Sequence, residues 1–115
     1  MAKSYPELEV WKRAIELSVV LYKLTRDFPR EEIYGLTSQL RRAGVSVASN
    51  IAEGYGRSTK GEFRSFLGVA RGSTLEVQTQ LVIAASLVWR FSEIVTAEKL
   101  ADETGRMLWS MREKL

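Results

Sequence analysis

The side chains best suited to chemistry in this sequence are the basic residues in the middle of the chain. Residues 34–90 contain seven basic and three acidic side chains, whereas residues 1–33 contain six of each. Arginine binds phosphate through two parallel hydrogen bonds, so this mostly arginine surplus favours a phosphate-bearing partner. A solvated helix surface with a small positive surplus is an equally ordinary interpretation. The segment therefore fits either a nucleic-acid contact or a solvated surface.

Two of these cations flank a turn that contains glycine. Arg57 follows Gly54 and Gly56, and Lys60 lies where a helix is expected to begin and where free backbone N–H groups attract anions. We predict the best phosphate contacts at Arg57 and Lys60, and we expect their joint replacement by glutamate to abolish binding. No module that recognises base edges is visible, so binding would depend on charge and shape. The predicted nucleic-acid contacts are Arg41, Arg42, Arg57, Lys60, Arg64 and Arg71.

The residue types that are missing exclude several classes of enzyme. The chain has no cysteine and no histidine, which excludes zinc hydrolases and both Ser-His-Asp and Cys-His enzymes. Glu53 and Glu76 are the one candidate for a pair of catalytic carboxylates, since two carboxylates can divide the roles of acid and base. Helix bundles more often use such residues as ion-pair partners. We predict no enzymatic activity, no metal site and no cofactor.

Polar side chains recur three and four residues apart along both middle helices. They are Gln39, Arg42, Ser46, Ser49 and Glu53 in the second helix and Ser73, Glu76 and Gln80 in the third. Because this spacing places each set on one helix face, we expect the two sets to face each other. Glu53 and Glu76 would then be partly buried, with Arg42, Arg71 or Asn50 as partners. The predicted polar group of the core or of an interface is Asn50, Glu53, Ser73 and Glu76.

The hydrophobic spacing is helical along the whole chain. It predicts four helices within a single domain over residues 1–115, at 7–27, 31–54, 60–89 and 93–114. Pro29 must end the first helix, and the glycines Gly54 and Gly56 end the second. Thr59 and Glu62 have the spacing of a capping box that begins the third helix. Short connections make consecutive helices antiparallel, so the predicted fold is all-α, an antiparallel up-down-up-down four-helix bundle.

Two of the helices are apolar on more than one face. The additional apolar residues are Trp11, Ile15 and Tyr22 in the first helix and Phe66, Val69, Ile83 and Leu87 in the third. A helix that is apolar over much of its circumference is covered on a second side, which predicts self-association. Glycine inside a helix costs about 1 kcal/mol relative to alanine, so Gly68 and Gly72 require an explanation. The close approach of another backbone supplies one. Scattered exposed apolar residues without a partner are the alternative.

Nothing in the sequence predicts export or membrane binding. The first ten residues lack the apolar region of a signal peptide. The longest nearly unbroken apolar stretch, residues 81–89, has about half of the ~20 residues that a membrane span requires. The basic residues between 57 and 71 are interleaved with glycine, serine and glutamate, so no basic amphipathic helix is present. We predict a cytoplasmic protein.

Several motifs carry a resemblance to a known family. They are SNIAEGYGR at Ser49–Arg57, LGVARGSTLE at Leu67–Glu76, LEVWKRAIEL at Leu8–Leu17 and GRML at Gly105–Leu108. Together they resemble the four-helix-bundle family named for reading frames in the intervening sequences of bacterial 23S ribosomal RNA genes. One departure is Ala48, where many relatives have proline and a kink. The family name reflects gene position and implies no ribosomal role.

The resemblance implies an assembly and a kind of partner. It implies a homopentamer arranged around a central axis, and a distant similarity to accessory proteins of diversity-generating retroelements, which bind nucleic acid and a reverse transcriptase through basic surfaces. Five copies would multiply the net charge of +3 and repeat each phosphate contact. We therefore predict an RNA-binding or ribonucleoprotein-associated scaffold, with DNA as another possible ligand. The alternative is a scaffold that binds only other proteins.

Overall fold

The computed structural model describes residues 8–87 and 92–115 and shows four α-helices in them. The helices are α1 (Glu9–Thr25), α2 (Leu36–Tyr55), α3 (Lys60–Ser86) and α4 (Ser92–Glu113), and a short 3-10 helix (Arg30–Glu32) precedes α2. Within the described residues no strand occurs. The predicted all-α fold class is confirmed. Residue 7 and residues 88–89, which the sequence placed in the first and third helices, lie outside the described residues.

The four helices form a ring of neighbours around the core. The helix α1 packs against α2 and α4, and α3 packs against the same two helices. Side chains pair in opposite order along α2 and α3: Gln39 contacts Gln80, whereas Ser46 contacts Ser73. The helices α3 and α4 also pair in opposite order, with Gly68 beside Arg112 and Thr74 beside Gly105. These helices are therefore antiparallel, in agreement with the predicted bundle. None of the described helices is long and apolar enough to cross a membrane.

The core divides into two layers along the length of the bundle. Leu17, Leu21 and Leu81 lie in one layer and are completely buried. Ile51 and Leu67 are completely buried in the other layer, near the connection between α2 and α3. These residues belong to the apolar stripes that repeat every three or four positions. Burial of the stripes fixes the rotation of each helix and so decides which polar side chains face outward.

The connection between α1 and α2 differs from the expectation. The sequence predicted a helix from residue 31, but residues 30–32 form a 3-10 turn and α2 begins only at Leu36. The reason is a cap: an oxygen of the Glu32 carboxylate accepts the N–H of Leu36 at 3.1 Å. Gly35 stands at the cap position and has no side chain that could do this. The helix α1 ends at Thr25, four residues before Pro29.

The connection between α2 and α3 contains the predicted cap. The Thr59 hydroxyl accepts the N–H of Glu62 at 3.1 Å and donates to the Glu62 carboxylate at 3.1 Å, so α3 begins at Lys60 as predicted. The helix α2 continues to Tyr55, one residue beyond the approximate predicted end, and Gly56 forms its cap. No proline interrupts this helix at Ala48, and it is continuous there.

The glycines of α3 do not have the role expected of them. A Cβ atom at Gly72 would meet no atom within 4 Å, and one at Gly68 would meet the Arg112 guanidinium at 3.3 Å, so neither glycine admits a neighbouring backbone within the chain. The close approach occurs at Gly54 instead. A Cβ there would lie 2.5 Å from the Cβ of Phe66, so α2 and α3 pack closely only because position 54 has no side chain.

Candidate nucleic-acid interface

Four arginines surround one cavity at the end of the bundle where α1 leads into α2. The cavity has a volume of about 580 Å³, and no acidic side chain of the described residues lines it. We call it the arginine cavity. Its basic residues are Arg26, Arg30, Arg41 and Arg42, and its hydroxyl-bearing residues are Tyr22, Thr25, Thr37 and Ser38. Guanidinium groups and hydroxyls are the side chains that contact phosphate oxygens in nucleic-acid complexes.

Arg41 is held in place by the end of α1. Its Nε donates to the Thr25 hydroxyl at 2.8 Å and an Nη donates to the Tyr22 carbonyl at 3.4 Å. The guanidinium also lies 4.6 Å from the centre of the Tyr22 ring. A cation at the last carbonyls of a helix stabilises its C-terminus. Arg41 therefore adds positive charge to the cavity while joining α2 to α1.

The other three arginines of the cavity are free to bind a ligand. Arg26, Arg30 and Arg42 are exposed, and none forms a hydrogen bond or ion pair with a described residue. Asp27 and Glu31 are exposed neighbours in the chain but do not line the cavity. The cavity therefore holds three guanidinium groups without an ion pair to a described residue, and Arg42 also lines a second groove that contains Glu76.

The sequence prediction missed Arg26 and Arg30. Residues 1–33 have no net charge, so the net charge of this segment gave no sign of its two cavity arginines. The fold brings both of them close to Arg42. Their position on either side of Pro29 was a usable signal. A proline that ends one helix shortly before the next one begins brings residues on both sides of it to the same end of a bundle.

The predicted contacts Arg57, Lys60 and Arg64 lie at the other end of the bundle. Arg42 lies about 20 Å along α2 from Tyr55, the last residue of the helix, at 1.5 Å per residue, and Arg57 follows two residues later. We call Arg57, Lys60 and Arg64 the turn cluster. The six predicted cations therefore do not share one face: two belong to the arginine cavity and three to the turn cluster, while Arg71 lies in a groove between α3 and α4.

Within the turn cluster the three cations have different surroundings. Arg57 donates to the Glu53 carboxylate at 2.8 Å and stacks on Phe66, with 4.9 Å to the ring centre. The Nε of Arg64 donates to the backbone carbonyl of residue 112 at 3.4 Å. Lys60 is exposed and has no ion pair with a described residue. Of the two best contacts named from the sequence, Lys60 thus keeps its charge free and Arg57 shares it with Glu53.

The polar stripes of α2 and α3 meet as expected and form a seam. The hydroxyls of Ser46 and Ser73 are 2.9 Å apart, and the Gln80 amide donates to the Gln39 amide oxygen at 3.3 Å. Asn50 donates to the Ser46 carbonyl at 2.8 Å and to its hydroxyl at 3.0 Å. Ser73 is buried and Asn50 is half-buried. These contacts set the register between the two helices.

The two carboxylates do not lie where their spacing in the sequence predicted. Glu53 and Glu76 are both exposed, Glu53 pairs with Arg57, and Glu76 has no partner among the described residues. The contact between Ser46 and Ser73 sets the register that puts the carboxylates about 15 Å apart along the bundle axis. They therefore do not form a dyad. In the described residues, no three acidic side chains converge as a metal site would require.

The position of Glu53 predicts a small effect on stability. Its side chain is 55% exposed and its ion pair with Arg57 lies on the helix surface, where such pairs contribute little. We expect Glu53→Gln to change the free energy of unfolding by less than about 0.5 kcal/mol, measured by urea denaturation. A loss of about 2 kcal/mol or more would contradict this surface assignment and support the original expectation of a partly buried carboxylate.

Comparison with known proteins identifies a family and a solved structure of similar fold. The family model described as 23S rRNA-intervening sequence protein matches residues 6–110. A crystal structure of a protein of unknown function from the S23 ribosomal protein family of Bacteroides thetaiotaomicron superposes with a TM-score of 0.82 at 20% identity. The match covers 90% of this chain and 95% of that one. No curated protein sequence matches the chain.

Proposed function

The chain belongs to the 23S rRNA-intervening sequence protein family, and we propose that it is a non-enzymatic, oligomeric scaffold that binds nucleic acid, with RNA as the expected ligand. The arginine cavity and the turn cluster would contact phosphates. Because the two groups lie at opposite ends of the bundle, one protomer would contact a strand or duplex at separate points. Recognition would follow charge and shape.

The arginine cavity is the observation that carries this proposal. Its three unpaired guanidinium groups lie beside the first turn of α2, which contributes Thr37 and Ser38. The Glu32 carboxylate already accepts the N–H of Leu36 at the start of α2, so the phosphate contacts depend on the guanidinium groups and the hydroxyls. Several unpaired arginines around one concave surface repel each other and destabilise the folded protein, and a bound anion would relieve this repulsion. A phosphate backbone is the anion that matches several guanidinium groups at once.

Self-association would strengthen nucleic-acid binding, because it would repeat the cavity on one assembly. The exposed apolar side chains of α1 and α2 include Ile15, Val19 and Val45, each between 39% and 47% exposed. We propose that part of this surface is covered by further copies of the chain, and the family resemblance suggests five. Repeated weak phosphate contacts on one assembly increase avidity without any new contact type.

Binding of a labelled structured RNA, measured by fluorescence anisotropy across a salt series, tests the proposal. We expect the logarithm of the affinity to fall linearly with the logarithm of the salt concentration, with a slope that corresponds to several released counterions. Light scattering of the free protein measures the oligomer in the same buffer. Failure to bind RNA at about 50 mM salt would contradict the proposed function.

A protein-interaction scaffold is the second candidate, and the exposed apolar side chains of α1 and α2 favour it. An apolar contact is largely insensitive to salt, whereas phosphate contacts weaken steeply. A protein partner that stays bound after nuclease treatment and in high salt would therefore favour the second candidate. Loss of the partner under either treatment would favour nucleic acid as the bridging ligand.

A further inference from the structure

A groove between α3 and α4 combines an exposed aromatic ring with an unpaired cation. Its volume is about 250 Å³, and Trp109 and Leu75 line it while remaining 51% and 49% exposed. Arg71 and Gln78 line the same groove from α3. We call this the tryptophan groove. The turn cluster and the arginine cavity share no lining residue with it.

The Trp109 ring is exposed because the residue one helical turn before it has no side chain to cover it. That residue is Gly105, and a Cβ there would meet the Thr74 hydroxyl at 3.0 Å. Any larger residue would crowd α3 and partly fill the groove beside Trp109. Glycine at this position therefore keeps the two helices close and leaves the groove open at the ring.

The charges of the groove leave one cation available. Asp102 accepts from Arg106 at 2.9 Å, so these two side chains neutralise each other. Arg71 is half-buried, and its guanidinium forms no hydrogen bond or ion pair with a described residue. The Gln78 amide likewise has no partner there. The groove thus offers an aromatic face, a free guanidinium and an amide that can both donate and accept.

We propose that the tryptophan groove binds one unpaired nucleobase of a single-stranded nucleic acid. The base would stack on Trp109, Arg71 would contact the adjoining phosphate, and Gln78 would hydrogen-bond to an edge of the base. Single-stranded nucleic acids are bound by this combination of stacking aromatic and basic side chains, whereas the bases of a duplex are already stacked and paired. This inference rests on the proposed function and extends it from phosphate contacts to an unpaired base.

The test compares two RNA ligands that differ in the availability of their bases. Anisotropy is measured for a fluorescein-labelled 12-nucleotide oligouridine and for a labelled 12-base-pair RNA duplex, at the same salt concentration. We expect Trp109→Ala to weaken binding of the oligouridine about tenfold and to leave duplex binding within about twofold. Trp109→Phe, which keeps an aromatic ring, should restore most of the single-strand affinity.

Tyr34→Ala is the matched control, because Tyr34 is an aromatic side chain that is 96% exposed and lies outside the groove. It should change neither affinity. Unchanged oligouridine binding by Trp109→Ala, or an equal loss for both ligands, would overturn the inference while leaving the proposed function standing. A change in oligomer mass with both affinities unchanged would make the groove a protein contact and would also overturn it. If the wild-type protein binds neither RNA, the proposed function fails and the inference with it.

Discussion

Replacing Arg26 and Arg42 together by glutamine should weaken RNA binding about 100-fold at low salt. Both side chains line the arginine cavity and neither has an ion pair with a described residue. Each substitution removes one charge-assisted phosphate contact, and two contacts of about 1.4 kcal/mol each correspond to this factor. The salt dependence should fall in parallel, with the slope reduced by about one for each lost phosphate contact. Anisotropy across the salt series measures both quantities.

The control for this variant removes the same charge elsewhere. Lys12→Gln with Lys114→Gln also lowers the net charge by two, and both lysines are exposed and lie outside the arginine cavity. We expect a loss of affinity below about threefold for this control. Equal losses in the two variants would mean that net charge alone drives binding and that the cavity has no special role. Arg41 is unsuited to this comparison, because it also holds α1 and α2 together.

The same alanine substitution should have opposite effects at two helical glycines. At Gly54 the new Cβ would lie 2.5 Å from the Cβ of Phe66 and 3.1 Å from the Phe63 ring, so α2 and α3 must move apart. We expect Gly54→Ala to lower the free energy of unfolding by about 2 kcal/mol, because overpacking outweighs the gain in helix propensity. At Gly72 the Cβ meets nothing within 4 Å. There we expect a gain of about 0.5–1 kcal/mol.

Urea denaturation of the two variants and the wild-type protein, at equal protein concentration, measures the contrast. The decisive quantity is the difference between the two variants, since helix propensity contributes equally to both. A stabilised Gly54→Ala variant would show that the two helices tolerate separation, contrary to the tight contact with Phe66. A destabilised Gly72→Ala variant would indicate that a second copy of the chain covers this position, and light scattering of that variant would then show a smaller oligomer.

Much of the fold was predictable because the signals are local. A helix requires apolar residues three and four positions apart, and that spacing is visible in the chain itself. The cap that the Thr59 hydroxyl places on the N–H of Glu62 involves two residues one turn apart, and the structure contains it. The facing polar stripes also followed from spacing, because burial of the neighbouring apolar stripe turns Ser46 toward Ser73. Local patterns gave the wrong start for the second helix, which was predicted at residue 31. The Glu32 carboxylate caps the N–H of Leu36, and the helix begins there.

The candidate site was only partly predictable because charge counts follow the chain and not space. Arg42 was named from the sequence, whereas Arg26 and Arg30 were not, because they belong to a segment of zero net charge. Glu53 and Glu76 lie on the expected stripe, yet the register of α2 against α3 separates them. The spacing of residues predicts which helix face a side chain occupies. Only the packing of two helices determines how far along the bundle it lies from a side chain on the facing helix.

The sequence by itself determined that this protein is a bundle of four helices, because the periodicity, the caps and the short connections are all local properties. Only the tertiary structure decided which cations gather around one cavity, which glycine allows close packing and which tryptophan faces a groove. Each of these depends on side chains from two helices meeting. That meeting is set by the rotation and register that bury the core, and no single segment of the chain encodes it.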